Sequence, residues 1–148
     1  MRESQFQSSL RLKLTKAGAL VFNVHGHAMQ APGWPDLQIY SPMWTGHLEL
    51  KVGRGSLSIH QKRVIEALRR RLSPAFVLRE DGTLLDHTGK KDGVIDLRGD
   101  GRSILEELQV YSDLAGMLTS SNLRRIGKPY VEAKSFVRPC DPPNSTTN

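Results

Sequence analysis

"GWPDLQIYSPMWTGHLELKV", residues Gly33–Val52, decides how this chain is read. Gly33, Trp34 and Pro35 make an approach full of chain breakers, and two alternating segments follow. In "DLQIY" (36–40), Leu37 and Ile39 share one face, while Asp36, Gln38 and Tyr40 share the other. "SPMWTG" (41–46) is a turn. In "HLELKV" (47–52), Leu48, Leu50 and Val52 share one face, and His47, Glu49 and Lys51 the other. That period of two predicts strands. If they pair, Asp36 and Glu49 converge at one edge of the sheet. Two carboxylates in a low-dielectric site repel each other. A hard divalent cation relieves the repulsion, and Mg²⁺ accepts one or two carboxylates plus waters. Lys51, one pleat along, orients an attacking water, and such a cation stabilises charge on a phosphoryl oxygen. These are the parts of phosphodiester hydrolysis. The plainer reading of the same residues is a turn aspartate and an exposed strand face.

Working outward, Phe6, Leu10 and Leu14 recur at helical spacing, predicting a helix over 3–17 that stops at Gly18. "ALVFNVH" (19–25) has the composition of a strand, and "GHAMQAPGWP" (26–35) that of a loop. After "GRGS" (53–56), residues 58–72 give the clearest helix, with Val64, Ile65, Leu68 and Leu72 as its apolar stripe. Ser58 and Gln61 have the spacing of a capping box. "AFVLR" (75–79) is a strand. The order helix, three strands, helix, strand predicts an α/β fold, a mixed sheet flanked by helices. Beyond it, "TLLDH" (83–87) and "GVIDLR" (93–98) suggest a hairpin or edge strands. Ser103 and Glu106 suggest a cap for a helix over 104–118, and "YVEAKSFV" (130–137) a further strand.

"GWPDLQIY…HLELKV" resembles the PD-(D/E)XK nuclease signature, and its flanks resemble the VRR-NUC branch of small stand-alone viral and bacterial nucleases. That branch has a Gly-x-Pro-Asp turn, a Glu-x-Lys strand, a Gly/Ser-rich link and a helix carrying Gln. The matching residues are Gly33, Pro35, Asp36, Glu49, Lys51 and Gln61. The likeness covers residues 2–80 and implies a restriction-endonuclease-like nuclease core there. Residues 81–148 are then an irregular C-terminal extension that packs on the core or mediates assembly, ending in a tail of about ten residues with disordered composition. The resemblance implies that Asp36, Glu49 and the main-chain carbonyl of Leu50 hold Mg²⁺ or Mn²⁺. Lys51 would position the water and stabilise the pentacoordinate phosphorus. Gln61 would orient the water or Lys51, and Glu3, in the first helix, would reach the metal. It also implies a homodimer acting on branched DNA, as in Holliday-junction resolvases.

Each residue has a second reading. Gln61 shares a helical face with Val64, Ile65, Leu68 and Leu72, so it points to the sheet and needs a polar partner, yet it also fits as the helix cap. Glu3 suits the first turn of any helix. "VEAK" (131–134) also fits Glu-x-Lys, but no Pro-Asp precedes it, and Glu132 and Lys134 read as an ordinary solvated strand. His25, His27, His47 and His60 have no helical zinc-ligand spacing. Trp34 and Trp44 suit base stacking or simple packing. Arg54, Lys62, Arg63, Arg69 and Arg70, with Arg71, suit a phosphate backbone or a solvated helix face.

Composition sets the outer bounds. The 148 residues suit one domain with an appendage, and the charge of +6 with a pI near 9.8 favours a polyanionic partner, nucleic acid first. No apolar run approaches the roughly 18 residues of a membrane span, and the N-terminus lacks a signal-peptide core. The single cysteine, Cys140, leaves no internal disulfide and no cysteine-based zinc site. The expectation is a cytoplasmic protein, in the host cytoplasm or with the virion if the source is viral. The rival to a nuclease is a fold that binds DNA or assembles with viral partners without cutting.

Overall fold

The computed structural model describes residues 1–24 and 32–117. Their order is α1 (Glu3–Lys16), β1 (Leu20–Asn23), β2 (Leu37–Tyr40), β3 (Gly46–Lys51), α2 (Ile59–Arg70), β4 (Ala75–Arg79), β5 (Thr83–Leu85), β6 (Lys91–Val94) and α3 (Gly101–Leu114). The six strands form one sheet in chain order. β3 and β4 are parallel and every other neighbouring pair is antiparallel. A parallel pair cannot be closed by a tight turn, and α2 is the crossover that joins this one. The described residues therefore form an α/β fold with a mixed sheet and three helices. Among the described residues no helix is long and apolar enough to cross a membrane.

The sheet is covered unequally on its two faces. Leu37, Ile39, Leu48, Leu50, Phe76 and Leu78 join Phe6, Leu10 and Leu14 of α1 and Ile104, Leu105 and Leu108 of α3 in the main core. On the other face, Ile65 of α2 packs on Ala75 and Val77. β3 lies under helices on both sides, so His47 and Glu49, on the α2 face, are buried along with Leu48 and Leu50. Gly101 allows α3 to press on α1: a Cβ there would stand 2.1 Å from the Lys13 carbonyl oxygen.

The boundary expected at residue 80 falls inside this unit, which runs from Met1 to Met117. Leu84, Ile95, Ile104, Leu105 and Leu108 belong to the main core. β5 pairs with β4 through Val77–Leu85 and Leu78–Leu84, which covers an edge of β4 that a fold ending at 80 would leave open. Residues 81–117 are thus regular structure, not an irregular extension. The hairpin forms, but its second strand begins at Lys91, before the expected 93. Asp86 closes the turn early, its Oδ1 accepting the amides of Thr88 and Lys90 at 2.8 and 3.0 Å. α3 starts three residues ahead of expectation because Asp100, not Ser103, caps it: Asp100 Oδ1 accepts the Ser103 amide at 2.8 Å. The strand expected at 130–137 and the terminal tail lie outside the described residues.

All three helices end in the same Schellman arrangement. After α1, the amides of Ala19 and Gly18 donate to the carbonyls of Leu14 and Thr15, both at 3.0 Å. After α3, Met117 and Gly116 donate to Ser112 and Asp113. After α2, Ser73 and Leu72 donate to Leu68 and Arg69. The motif wants a left-handed residue just past the helix, which glycine supplies without strain. Gly18 and Gly116 fill that place in α1 and α3, but Leu72 fills it in α2 with φ +60°. Leu72 is therefore out of the apolar stripe expected of it, and half exposed.

Candidate functional site

The β2–β3 register sets Gln38 opposite His47 and Leu37 opposite Leu48. Carried one residue further, it sets Asp36 opposite Glu49. Asp36 is buried and tied to both neighbouring strands. Its Oδ2 accepts the Leu50 amide at 2.8 Å, and its carbonyl accepts the Val24 amide at 2.9 Å. The turn before it is pressed against the start of α2. Gly33 has φ +91°, and a Cβ on it would stand 2.5 Å from the carbonyl carbon and oxygen of His60. Only glycine fits this approach, which couples the aspartate's turn to the helix that carries Gln61.

Glu49 is the centre of the cluster. Its Oε1 accepts Gln61 Nε2 at 2.7 Å and lies 3.3 Å from Lys51 Nζ. Its Oε2 is buried with no hydrogen-bond partner among the described residues. Burial, and next the Asp36 carboxylate, push the Glu49 pKa up to about 8, against the opposing pull of Lys51, with Glu3 adding a small rise. Gln61 fills both roles read from its position. Its Oε1 accepts the Ser58 amide at 2.9 Å and its own amide donates to Ser58 Oγ at 3.1 Å, completing the capping box. The remaining end of the same amide reaches Glu49.

This donor set suits a hard cation. A buried carboxylate oxygen without a donor, beside a second carboxylate, is an electron-rich position that the one ammonium of Lys51, on the other oxygen, does not fill. Among the described residues, Asp36 and Glu49 are the buried carboxylates that meet there. Among the described residues no three of His, Cys, Asp or Glu gather closely enough to form a complete metal cage. Mg²⁺ does not require one, since it keeps several waters beside one or two carboxylates. Glu3 is exposed in the first turn of α1 and touches Glu49 only through its charge. Leu50 directs its side chain into the core and its amide to Asp36.

The surrounding aromatics and cations divide. Trp34 is half-buried, its ring centre 5.9 Å from that of His47. His47 is buried, burial lowers its pKa, and its Nδ1 has no hydrogen-bond partner among the described residues. Trp44 is a core residue, 1% exposed, with Nε1 donating to Ser112 Oγ at 2.8 Å, so it has no face for a base. Arg69 does not belong to an outer basic face. Its guanidinium turns inward to the Asp92 carboxylate at 2.9 Å and the Ala75 carbonyl at 3.0 Å. Arg70 is exposed and paired with Glu66 at 2.6 Å. Arg54, Lys62, Arg63 and His60 are exposed. His25 and His27 lie outside the described residues, as do Glu132 and Lys134.

One supporting residue is not legible in the sequence. Arg79, beside Lys51 in the parallel register, donates to the carbonyls of Gly53 and Gly55 at 3.1 and 2.9 Å. It pins the glycine-rich link that leaves β3. Gly55 packs there against Lys51, whose Cδ would lie 3.4 Å from a Cβ at that position. Only the β3–β4 pairing brings these residues together, and no local pattern announces it. In comparisons with known proteins, no family model, curated protein or solved structure matches this chain.

Proposed function

We propose that this protein is a Mg²⁺- or Mn²⁺-dependent endonuclease of the PD-(D/E)XK type that hydrolyses DNA phosphodiester bonds, with branched or otherwise structured DNA as its substrate. The observation that carries the reading is the closeness of the Asp36 carboxylate, one residue before β2, to Glu49 of β3, with Glu49 Oε2 buried and without a hydrogen-bond partner among the described residues and Lys51 against Oε1. The order of elements around it, three antiparallel strands and then a crossover helix to a parallel strand, agrees with a restriction-endonuclease-like core. The net charge of +6 suits a DNA partner, and the setting that goes with this reading is the cytoplasm.

Asp36 and Glu49, with the Leu50 carbonyl, are the groups that would hold the cation. Bound there, the ion would supply Lewis-acid stabilisation of the charge that builds on the phosphoryl oxygens. Lys51 brings a compact ammonium to the same site, able to orient the attacking water and to offset the growing negative charge. Gln61 holds Glu49 in place and fixes which of its oxygens remains open. Arg54, in the link after β3, and Lys62 and Arg63, in the first turns of α2, offer exposed positive charge for the DNA backbone. A homodimer would present two such sites to a branched substrate.

A cleavage panel of duplex, single-stranded, flap and four-way-junction DNA with Mg²⁺ tests this, run beside Lys51→Ala. The wild type should cut at least one substrate, and Lys51→Ala should lower the rate by roughly 100-fold or more. Lys51→Ala cutting at the wild-type rate would remove Lys51 from the chemistry.

A further inference from the structure

Among the described residues, the α2 face of the sheet is not covered along its whole width. α2 lies over β3 and β4, while at the β1–β2 end Leu20, Phe22 and Tyr40 remain 58%, 49% and 41% exposed. The register sets Leu20 opposite Tyr40, and Phe22 opposite Gln38, which is itself opposite His47. All four side chains therefore project on the face that carries Glu49 and Lys51. The Phe22 and Tyr40 rings meet edge to face with centres 6.1 Å apart, and the Gln38 amide donates to the Tyr40 hydroxyl.

We propose that this aromatic face receives an unpaired nucleobase of a DNA strand whose backbone crosses the Asp36–Glu49 site. The inference rests on the nuclease reading and narrows its substrate to DNA with unpaired nucleotides next to the bond being cut. Exposed aromatics on an open sheet are a stacking platform for any base, and a glutamine beside them can bond to a base edge. Leu20, Phe22, Gln38 and Tyr40 include no carboxylate to repel a phosphate, and the chain as a whole carries +6. Strand spacing and rise put Phe22 about 12 Å from Glu49 along the sheet, a span of a few nucleotides. A second copy of the chain is a poorer occupant. Even with about 150–250 Å² for each aromatic side chain, three partly exposed residues fall well short of the roughly 800 Å² per partner of a stable interface.

The test is binding without cleavage. A labelled oligothymidine strand and a duplex of equal length are titrated with protein in EDTA, using wild type, Phe22→Ala/Tyr40→Ala and Phe22→Leu/Tyr40→Leu. Single-strand affinity should fall at least ~10-fold in both variants, as loss of base–aromatic stacking implies, while duplex affinity stays unchanged. The leucine variant keeps an apolar surface, so its loss assigns the effect to the rings. Single-strand affinity unchanged in either variant, equal losses on strand and duplex, or a wild type that does not bind the single strand would each overturn the proposal. So would a wild type that elutes as a dimer and variants that elute as monomers on size exclusion. Failure of the nuclease reading looks different: stacking-dependent binding in EDTA, with no cleavage when Mg²⁺ or Mn²⁺ is supplied.

Discussion

Gln61 Nε2 lies 2.7 Å from Glu49 Oε1, while the other end of the same amide caps its own helix at Ser58. One side chain thus fixes the start of α2 and the orientation of the central carboxylate. Gln61→Ala should remove both bonds. Losing the side-chain half of the capping box, with Ser58 still capping the helix, should cost up to about 1 kcal/mol of stability, read from urea unfolding. Glu49, deprived of a donor to its charged form, should titrate higher still, read from a carboxyl NMR titration. A stability loss with no movement of the Glu49 titration would mean that Gln61 is only a cap.

Glu49 also makes stability depend on pH. Its pKa is near 8 in the folded chain against an ordinary 4.5, so between these values the folded state binds more protons than the unfolded one. The stabilisation is full below about 4.5 and is lost as pH rises through about 8. At about 1.4 kcal/mol per unit, the loss amounts to a few kcal/mol in metal-free protein. His47, whose pKa burial lowers, acts in the opposite sense: its contribution is lost as pH falls below its ordinary value of 6.5. Comparison with Glu49→Gln cancels the histidine. Unfolding in EDTA from pH 5 to 9 should show the wild type losing stability relative to Glu49→Gln. Parallel curves would contradict the raised pKa.

The basic residues of α2 should separate into two kinds. Arg69→Ala breaks a largely buried pair with Asp92 and should cost roughly 2 kcal/mol or more, with no change in the salt dependence of DNA binding. Lys62→Ala/Arg63→Ala should leave stability within about 0.5 kcal/mol and weaken binding to all sequences alike, flattening the dependence of affinity on salt. An unchanged salt slope in the double variant would make that face a solvated one.

Arg69 also shows where reading a sequence stops. Gln61, Ile65 and Arg69 recur every four residues, so the inward turn of Arg69 was open to the same periodicity argument that oriented Gln61. Its partner Asp92 lies on β6, beyond any local pattern. The candidate cluster was legible as far as it is local: alternation puts Glu49 and Lys51 on one face of β3, the antiparallel pairing with β2 brings Asp36 to that face, and capping-box spacing points to Gln61. Burial was not legible, because it comes from α2 closing over one face and α1 with α3 over the other. The extent of the core was missed for a related reason. β5 and β6 are short, and although the helix of α3 is legible, its place in the core follows from packing on α1 and that of β5 from pairing with β4.

Leu72 gives a test of the fold alone. In the left-handed position that ends α2 it bears a Cβ penalty that Gly18 and Gly116 avoid. Leu72→Gly relieves that strain and removes a half-exposed side chain, at the cost of a more flexible unfolded chain. The net should be a gain of about 0.5–1 kcal/mol, read from urea unfolding. A loss of stability would mean that the leucine's remaining contacts outweigh its strain.

The most direct measurement of the central claim pairs Mg²⁺ or Mn²⁺ binding with DNA cleavage in wild type and Asp36→Asn. The substitution removes a charge and keeps the shape, so the fold and the carboxamide's bond from the Leu50 amide should survive. The account predicts weaker cation binding, because a neutral amide is a poorer ligand for a hard ion. It predicts cleavage lowered by orders of magnitude and DNA binding retained or tightened. Cleavage unchanged in Asp36→Asn, or a wild type that neither binds the cation nor cuts any DNA in its presence, would contradict it.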